Sequence, residues 1–134
     1  MKTITLHRWR PALFLLGASL LLALASCGPT DIPIQYDETL LYGEWLEGTV
    51  HDTYLEDGTG YSWDTSDDIT EEEASPFQWT LNSDQLTVMH ILWNGSVVPK
   101  VYTVRVLDSE RLVYGDAYGD MHEYQRVKPA PDPE

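Results

Sequence analysis

The chain has a single cysteine, Cys27, so no disulfide within it can staple the fold. Basic residues are almost as scarce. Eight lysines and arginines face 22 aspartates and glutamates, for a net charge of −14, and none falls between Arg10 and Lys100. Fifteen of the acids lie from Asp31 to Asp84. Such a surface repels phosphate backbones and anionic head groups, which argues against nucleic acid as a partner and suits cations, basic partners or plain solubility. Apolar runs are short. Residues 12–25, interrupted only by Gly17 and Ser19, would span about 21 Å as a helix, less than the roughly 20 residues that cross a bilayer. His51, His90 and His122 show no H-x-x-x-H or H-E-x-x-H spacing, and each reads as a strand residue rather than a zinc ligand. There is no G-x-S-x-G and no glycine-rich oxyanion turn, while 22 acids guarantee carboxylate pairs by chance, so no catalytic constellation stands out. No long segment has a helical period, which argues against a parallel α/β sheet, and no sequence repeat is present.

What is present begins with a targeting label. Lys2, His7, Arg8 and Arg10 form a basic head, followed by the short apolar body and the small residues of Leu24-Ala25-Ser26-Cys27. That order makes an export signal. Leu24-Ala25-Ser26-Cys27 resembles a bacterial lipobox, which implies that Cys27 is acylated and becomes the new N-terminus. Ala23-Leu24-Ala25 also fits an ordinary A-x-A cleavage site. By the same resemblance Cys27 would carry a diacylglyceryl group and an amide-linked chain such as palmitate, and one chain alone anchors only marginally. Gly28 stands where an aspartate would imply inner-membrane retention, so the expected location is the outer membrane, lipid-anchored. Removing residues 1–26 takes three bases and no acid, and the net charge falls from −14 to −17.

Residues 27–39 hold two prolines and no period and read as a tether; residues 128–134, with Pro129, Pro131 and Pro133, read as a loose tail that cannot join a sheet. The folded domain is then residues 40–127, and its signals are those of strands. Residues 42–51 read as a first strand. Asp57-Gly58 marks a hairpin. Phe77, Trp79 and Leu81 alternate and should line one face, followed by a turn at residues 82–84 and a strand over 86–93. Asn94-Gly95 is a type I′ turn signal, in which both central residues take φ > 0. Residues 97–107 return, with Tyr102, Val104 and Val106 on one face, and further turns near residues 109 and 118 separate strands over 111–114 and 121–127. Turns near residues 83, 95, 109 and 118 have the spacing of an antiparallel meander. Seven or eight short strands must hide their edges, and closing into a barrel does so completely.

Two patterns carry a family resemblance over residues 40–127. Leu41-Tyr42-Gly43-Glu44-Trp45 resembles the G-x-W opening of lipocalin-like domains, and Leu112-Val113-Tyr114, Asp116, Gly119, Tyr124 and Val127 are similar to the last hairpin of small bacterial lipocalin-like lipoproteins. The resemblance implies an all-β, closed or nearly closed antiparallel barrel with Trp45 plugging one end. An immunoglobulin-like sandwich is the alternative, without the cysteine pair that would support it.

Between the expected strands, residues 63–74 are the most unusual stretch. Thr70-x-x-Glu73 is a capping-box pattern opening a short helical turn. If the stretch were helical throughout, Asp64, Asp67, Asp68, Glu71 and Glu72 would share one face, repelling one another unless a cation such as Ca²⁺ joined them. The spacing is not that of an EF-hand, and a solvated acidic loop over the barrel mouth is the plainer expectation. Trp63, Trp79 and Tyr102 are the candidates for a ligand pocket, although aromatic residues also fill small barrels with no ligand. The expectation is therefore a non-enzymatic lipoprotein, held on the membrane by its anchor, that binds a small apolar molecule or an envelope component. The rival is a structural or protein-interaction lipoprotein with a filled core.

Overall fold

A computed structural model describes Gly28 and residues 32–129, the last two without their side chains. The export signal, Cys27 and residues 130–134 lie outside the described residues. The barrel lies within the compact unit Ile32–Glu134. Eight antiparallel strands succeed one another in a closed ring: β1 (Gly43–Glu47), β2 (Val50–Tyr54), β3 (Thr59–Asp64), β4 (Ser75–Asn82), β5 (Gln85–Ile91), β6 (Val97–Leu107), β7 (Arg111–Gly115) and β8 (Met121–Pro129). Each pairs with its sequence neighbour, and β1 pairs with β8 to close the wall. Closure leaves an inner face that alternating apolar residues can fill and an outer face on which acids meet solvent. The sandwich alternative is thereby set aside.

The turns explain why the meander forms. Leu55–Thr59, Leu92–Ser96 and Asp116–Asp120 share one pattern: the first residue's N–H donates to the fifth residue's carbonyl, and the fourth residue is a glycine donating back to the first. Those glycines, Gly58, Gly95 and Gly119, have φ of 82°, 81° and 90°. Such loops are type I turns closed by a left-handed residue, which only glycine adopts without strain. Asn94 does not take the positive φ of a type I′ turn. Its Oδ1 instead accepts from Ser96 N–H at 2.9 Å, which stabilises the three-residue form.

Several expected boundaries shift. Residues 42–51 are not one strand: Gly48, at φ 60°, and Thr49 turn β1 into β2. Trp93 falls in the β5–β6 turn rather than on a strand and is 98% exposed. On β6 the register slips between Val104 and Val106 opposite β7, so Leu107 enters the core in place of Val106. The tail is not wholly loose, because Lys128 and Pro129 pair with Glu44 and Gly43. Proline is tolerated there because it closes the strand. At the other end the tether is shorter than expected: Glu38–Leu41 forms a 3₁₀ turn capped by Asp37, and Tyr36 and Leu40 already pack on the core.

The two ends of the barrel differ. At one end the 3₁₀ turn places Leu41 under Trp45, which is 0% exposed and donates from Nε1 to the Leu41 carbonyl at 2.7 Å. Arg126 lies over the Trp45 ring, its Cζ 4.2 Å from the centroid, and donates to the carbonyls of Leu40, Tyr42 and Ser109. Leu86, Leu112, Val104 and Leu107 complete this end. The other end, bounded by the turns at 48–49, 65–74, 92–96 and 116–120, is where the interior opens.

Candidate functional site

Above the plug lies a cavity of about 310 Å³, and all eight strands contribute to its wall. Strand alternation dictates the lining. Glu47 comes from β1, Val50, Asp52 and Tyr54 from β2, and Ser62 from β3, where it pairs with Asp52 in register. Phe77 enters from β4, Val88 and His90 from β5, and Lys100 and Tyr102 from β6. Tyr114 on β7 and His122 and Tyr124 on β8 close the ring. β7 pairs with β6 only from Thr103 onward. The β6 edge before it is therefore unpaired on that side, and a depression between it and the 116–120 turn reaches Tyr102 and His122.

Two groups of rings form the walls. Tyr102 and Tyr114 lie 4.3 Å apart between centroids, and Tyr114 and Tyr124 lie 5.5 Å apart, with their hydroxyls hydrogen-bonded at 3.1 Å. Opposite, Tyr54 meets Phe77 edge-on at 5.3 Å and Phe77 meets His90 at 5.9 Å. Between the walls sits Asp52, 8% exposed. Burial raises its carboxyl above the ordinary carboxylate range, while hydrogen bonding from Ser62 and Tyr124 and the nearby His90 pull it back. Burial pushes the Tyr54 and Tyr114 hydroxyls well up, and the Asp52 charge adds to both.

The two interior histidines are set in opposite directions. Burial lowers His90, and Lys100 lowers it further against the pull of Asp52. Burial also opposes charge on His122, but Glu47 at 3.1 Å from Nδ1 and Asp116 at 3.4 Å from Nε2 outweigh it and raise its pKa. One cavity thus holds an imidazole whose charging burial disfavours and, near its mouth, one whose charging two carboxylates favour.

Of the three pocket candidates, Tyr102 lines the cavity and the two tryptophans do not. Trp79 is buried below it, donating to the Thr59 carbonyl at 2.9 Å and packing edge-on against Tyr54. Trp63 alternates with Ser62 and so stands on the outer wall. Its 7% exposure comes from stacking on His51 at 4.6 Å and Tyr61 at 5.7 Å, with His51 held by Glu44 at 2.8 Å. Trp63→Ala is accordingly expected to cost about 1–3 kcal/mol of stability and to leave the cavity's binding properties unchanged. Urea unfolding and ligand titration of the same variant check both halves.

The acidic segment also departs from expectation. It is not one helix: 3₁₀ turns at Thr65–Asp67 and Glu71–Glu73 are separated at Asp68, whose φ is 58°. Asp64, Asp67, Asp68, Glu71 and Glu72 therefore do not share a helical face. Asp64 is spent capping Ser66 N–H, and Glu71 accepts from the Tyr61 hydroxyl at 3.1 Å, tying the second turn to the outer wall rather than over the mouth. The capping box of Thr70 and Glu73 is present. Among the described residues no three His, Cys, Asp or Glu side chains gather as a metal site.

Ser62, His90 and Asp52 share the cavity, yet no hydrogen bond among the described residues links His90 to Ser62 or Asp52, and Ser62 leans on Asp52 directly. A nucleophile activated by its base needs the opposite order. The chain matches no protein-family model, no curated protein and no solved structure.

Sequence reasoning misses Asp52, Tyr54, His90, Tyr114, His122 and Tyr124. Their signal is alternation: Val50-x-Asp52-x-Tyr54 and His122-x-Tyr124 point inward together once the strand bounds are known.

Proposed function

We propose that this chain is a lipid-anchored, lipocalin-like lipoprotein of the outer membrane whose barrel holds a small molecule without transforming it. The observation that carries the reading is the cavity of about 310 Å³, lined from every strand and lying opposite a plugged end. That volume is at the lower end of the range for small-molecule sites, about 300–1,000 Å³. Its wall differs from the apolar one expected: Glu47, Asp52, His90, Lys100 and His122 stand among the rings. His122 and Glu47 pair with each other, but a purely apolar guest would desolvate Asp52 and His90 without giving either a further partner, so a guest with polar groups fits better. The chain leading into β1 reaches the barrel at its plugged end, where Tyr36 N–H meets the Ser83 carbonyl. The described chain before β1 therefore meets the barrel away from the mouth.

A protein-interaction role has one observation in its favour. Leu92, Trp93, Val97 and Val98 are exposed together at the β5–β6 tip. The test that separates the two is intact-complex mass spectrometry of the protein extracted from its native membrane. Wild type is expected to carry a small non-covalent guest, and Ser62→Phe, which fills the cavity, is expected to lose it. A guest retained by Ser62→Phe, or none on either, leaves only the interaction role.

The anchor is tested separately at Cys27. Cys27→Ser is expected to abolish incorporation of radiolabelled palmitate, leaving either unprocessed precursor or a soluble form cut at the alternative site. Palmitate entering the variant as efficiently as wild type would contradict the anchor.

A further inference from the structure

We infer that the guest is a small organic ammonium ion, with Asp52 as its counter-ion and the tyrosine faces as its cage. This deepens the binding reading above and rests on it. Asp52 is 8% exposed and borders the cavity. A buried carboxylate is costly unless it is paired and hydrogen-bonded. Ser62 and Tyr124 each offer one hydroxyl donor, against about four acceptor positions on the carboxylate. No ion pair among the described residues includes Asp52. His90 is the nearby basic group, but it makes no ion pair with Asp52, and burial together with Lys100 lowers its pKa.

The rings complete the site. Tyr54, Tyr102, Tyr114 and Tyr124 line the same cavity as Asp52, so a cation held by that carboxylate shares its space with four tyrosine rings. Aromatic faces attract cations within about 6 Å, the more so where water is excluded. The other charged groups agree. His122 is already matched by Glu47 and Asp116, and Lys100 stands on the His90 side. An ammonium therefore has its place on the Asp52–Tyr124 side. Outside, a net charge of −14 draws cations toward the molecule and holds anions off.

The test uses three probes of one shape and different charge: 2-phenylethylammonium, 2-phenylethanol and phenylacetate. Each is titrated calorimetrically, near neutral pH and up to millimolar concentration, into the full chain in detergent. The ammonium is expected to bind at least about tenfold tighter than the alcohol, a gap of about 1.4 kcal/mol, and phenylacetate more weakly still. Asp52→Asn should remove most of the ammonium's advantage over the alcohol. If the alcohol or phenylacetate binds as well as the ammonium, or Asp52→Asn does not disturb the ranking, the ammonium assignment falls while the cavity remains a binding site. If none of the three binds, both readings fall. The wild-type ranking needs no variant, so a misfolded Asp52→Asn leaves the test standing.

Discussion

Trp45→Ala is expected to lose about 3–5 kcal/mol of stability, the range for removing a large aromatic side chain from a packed core. Three contacts go at once. The indole is fully buried, its Nε1–H satisfies the Leu41 carbonyl, and its ring carries the Arg126 guanidinium. Without the ring, Arg126 faces a void while still bonded to the carbonyls of Leu40 and Tyr42, and the Leu41 carbonyl is left buried without its donor. The loss approaches the whole stability of a domain this small. Urea unfolding followed by far-ultraviolet circular dichroism measures it. A cost under about 1 kcal/mol would mean that Trp45 is not the plug.

Gly60→Ala is expected to be nearly as damaging for the opposite reason. Gly60 on β3 faces inward where the two ring walls begin, and a Cβ there would stand 2.3 Å from both the Thr53 carbonyl oxygen and the Phe77 ring. The ring has some freedom to turn; the carbonyl belongs to the β2–β3 ladder, in which Tyr54 pairs with Gly60 and Thr53 with Tyr61. Overpacking of this kind costs about 3 kcal/mol when backbone must move. Because Phe77 also lines the cavity, binding should weaken along with stability. A melting temperature and a guest affinity both equal to wild type would show that the ladder yields there at no cost.

These two positions mark how far the fold is legible in the chain. Gly43-x-Trp45 announces a plug through its resemblance to the lipocalin-like opening, and the structure buries Trp45 at one end of the barrel. Phe77, Trp79 and Leu81 announce an inward face by simple alternation, and the flanking turns bound residues 97–107 correctly. The failures have local causes. The turn at Gly48-Thr49 has a single glycine amid strand-forming residues, and reading through it conceals β2, the strand that carries Asp52. The slip between Val104 and Val106 is a tertiary event with no residue signature of its own, and it alone decides that Leu107 faces inward. Trp63 resembles a pocket residue because it is large and aromatic. Which wall it occupies depends on a parity fixed only by the Asp52–Ser62 pairing. The acidic stretch is not the single face that its spacing suggests, because side-chain bonds within it, Asp64 to Ser66 and Glu73 back to Thr70, break it into two separate turns.

Asp52 makes a tension in the wall as well as a site. The domain keeps a carboxylate inside although burial works against its charge, and surrounds it with phenols whose own ionisation it suppresses. Replacing it with an apolar residue would relieve the core, so its presence is best understood through the occupant of the cavity. The most direct measurement is a crystal structure of the protein isolated from its native membrane without ligand exchange. The expected result is an ordered non-protein molecule between Asp52 and the faces of Tyr102 and Tyr114, with a polar atom within hydrogen-bond reach of the Asp52 carboxylate. An interior closed by inward movement of Phe77 and Tyr102, or filled by water alone, would contradict a binding role for the barrel.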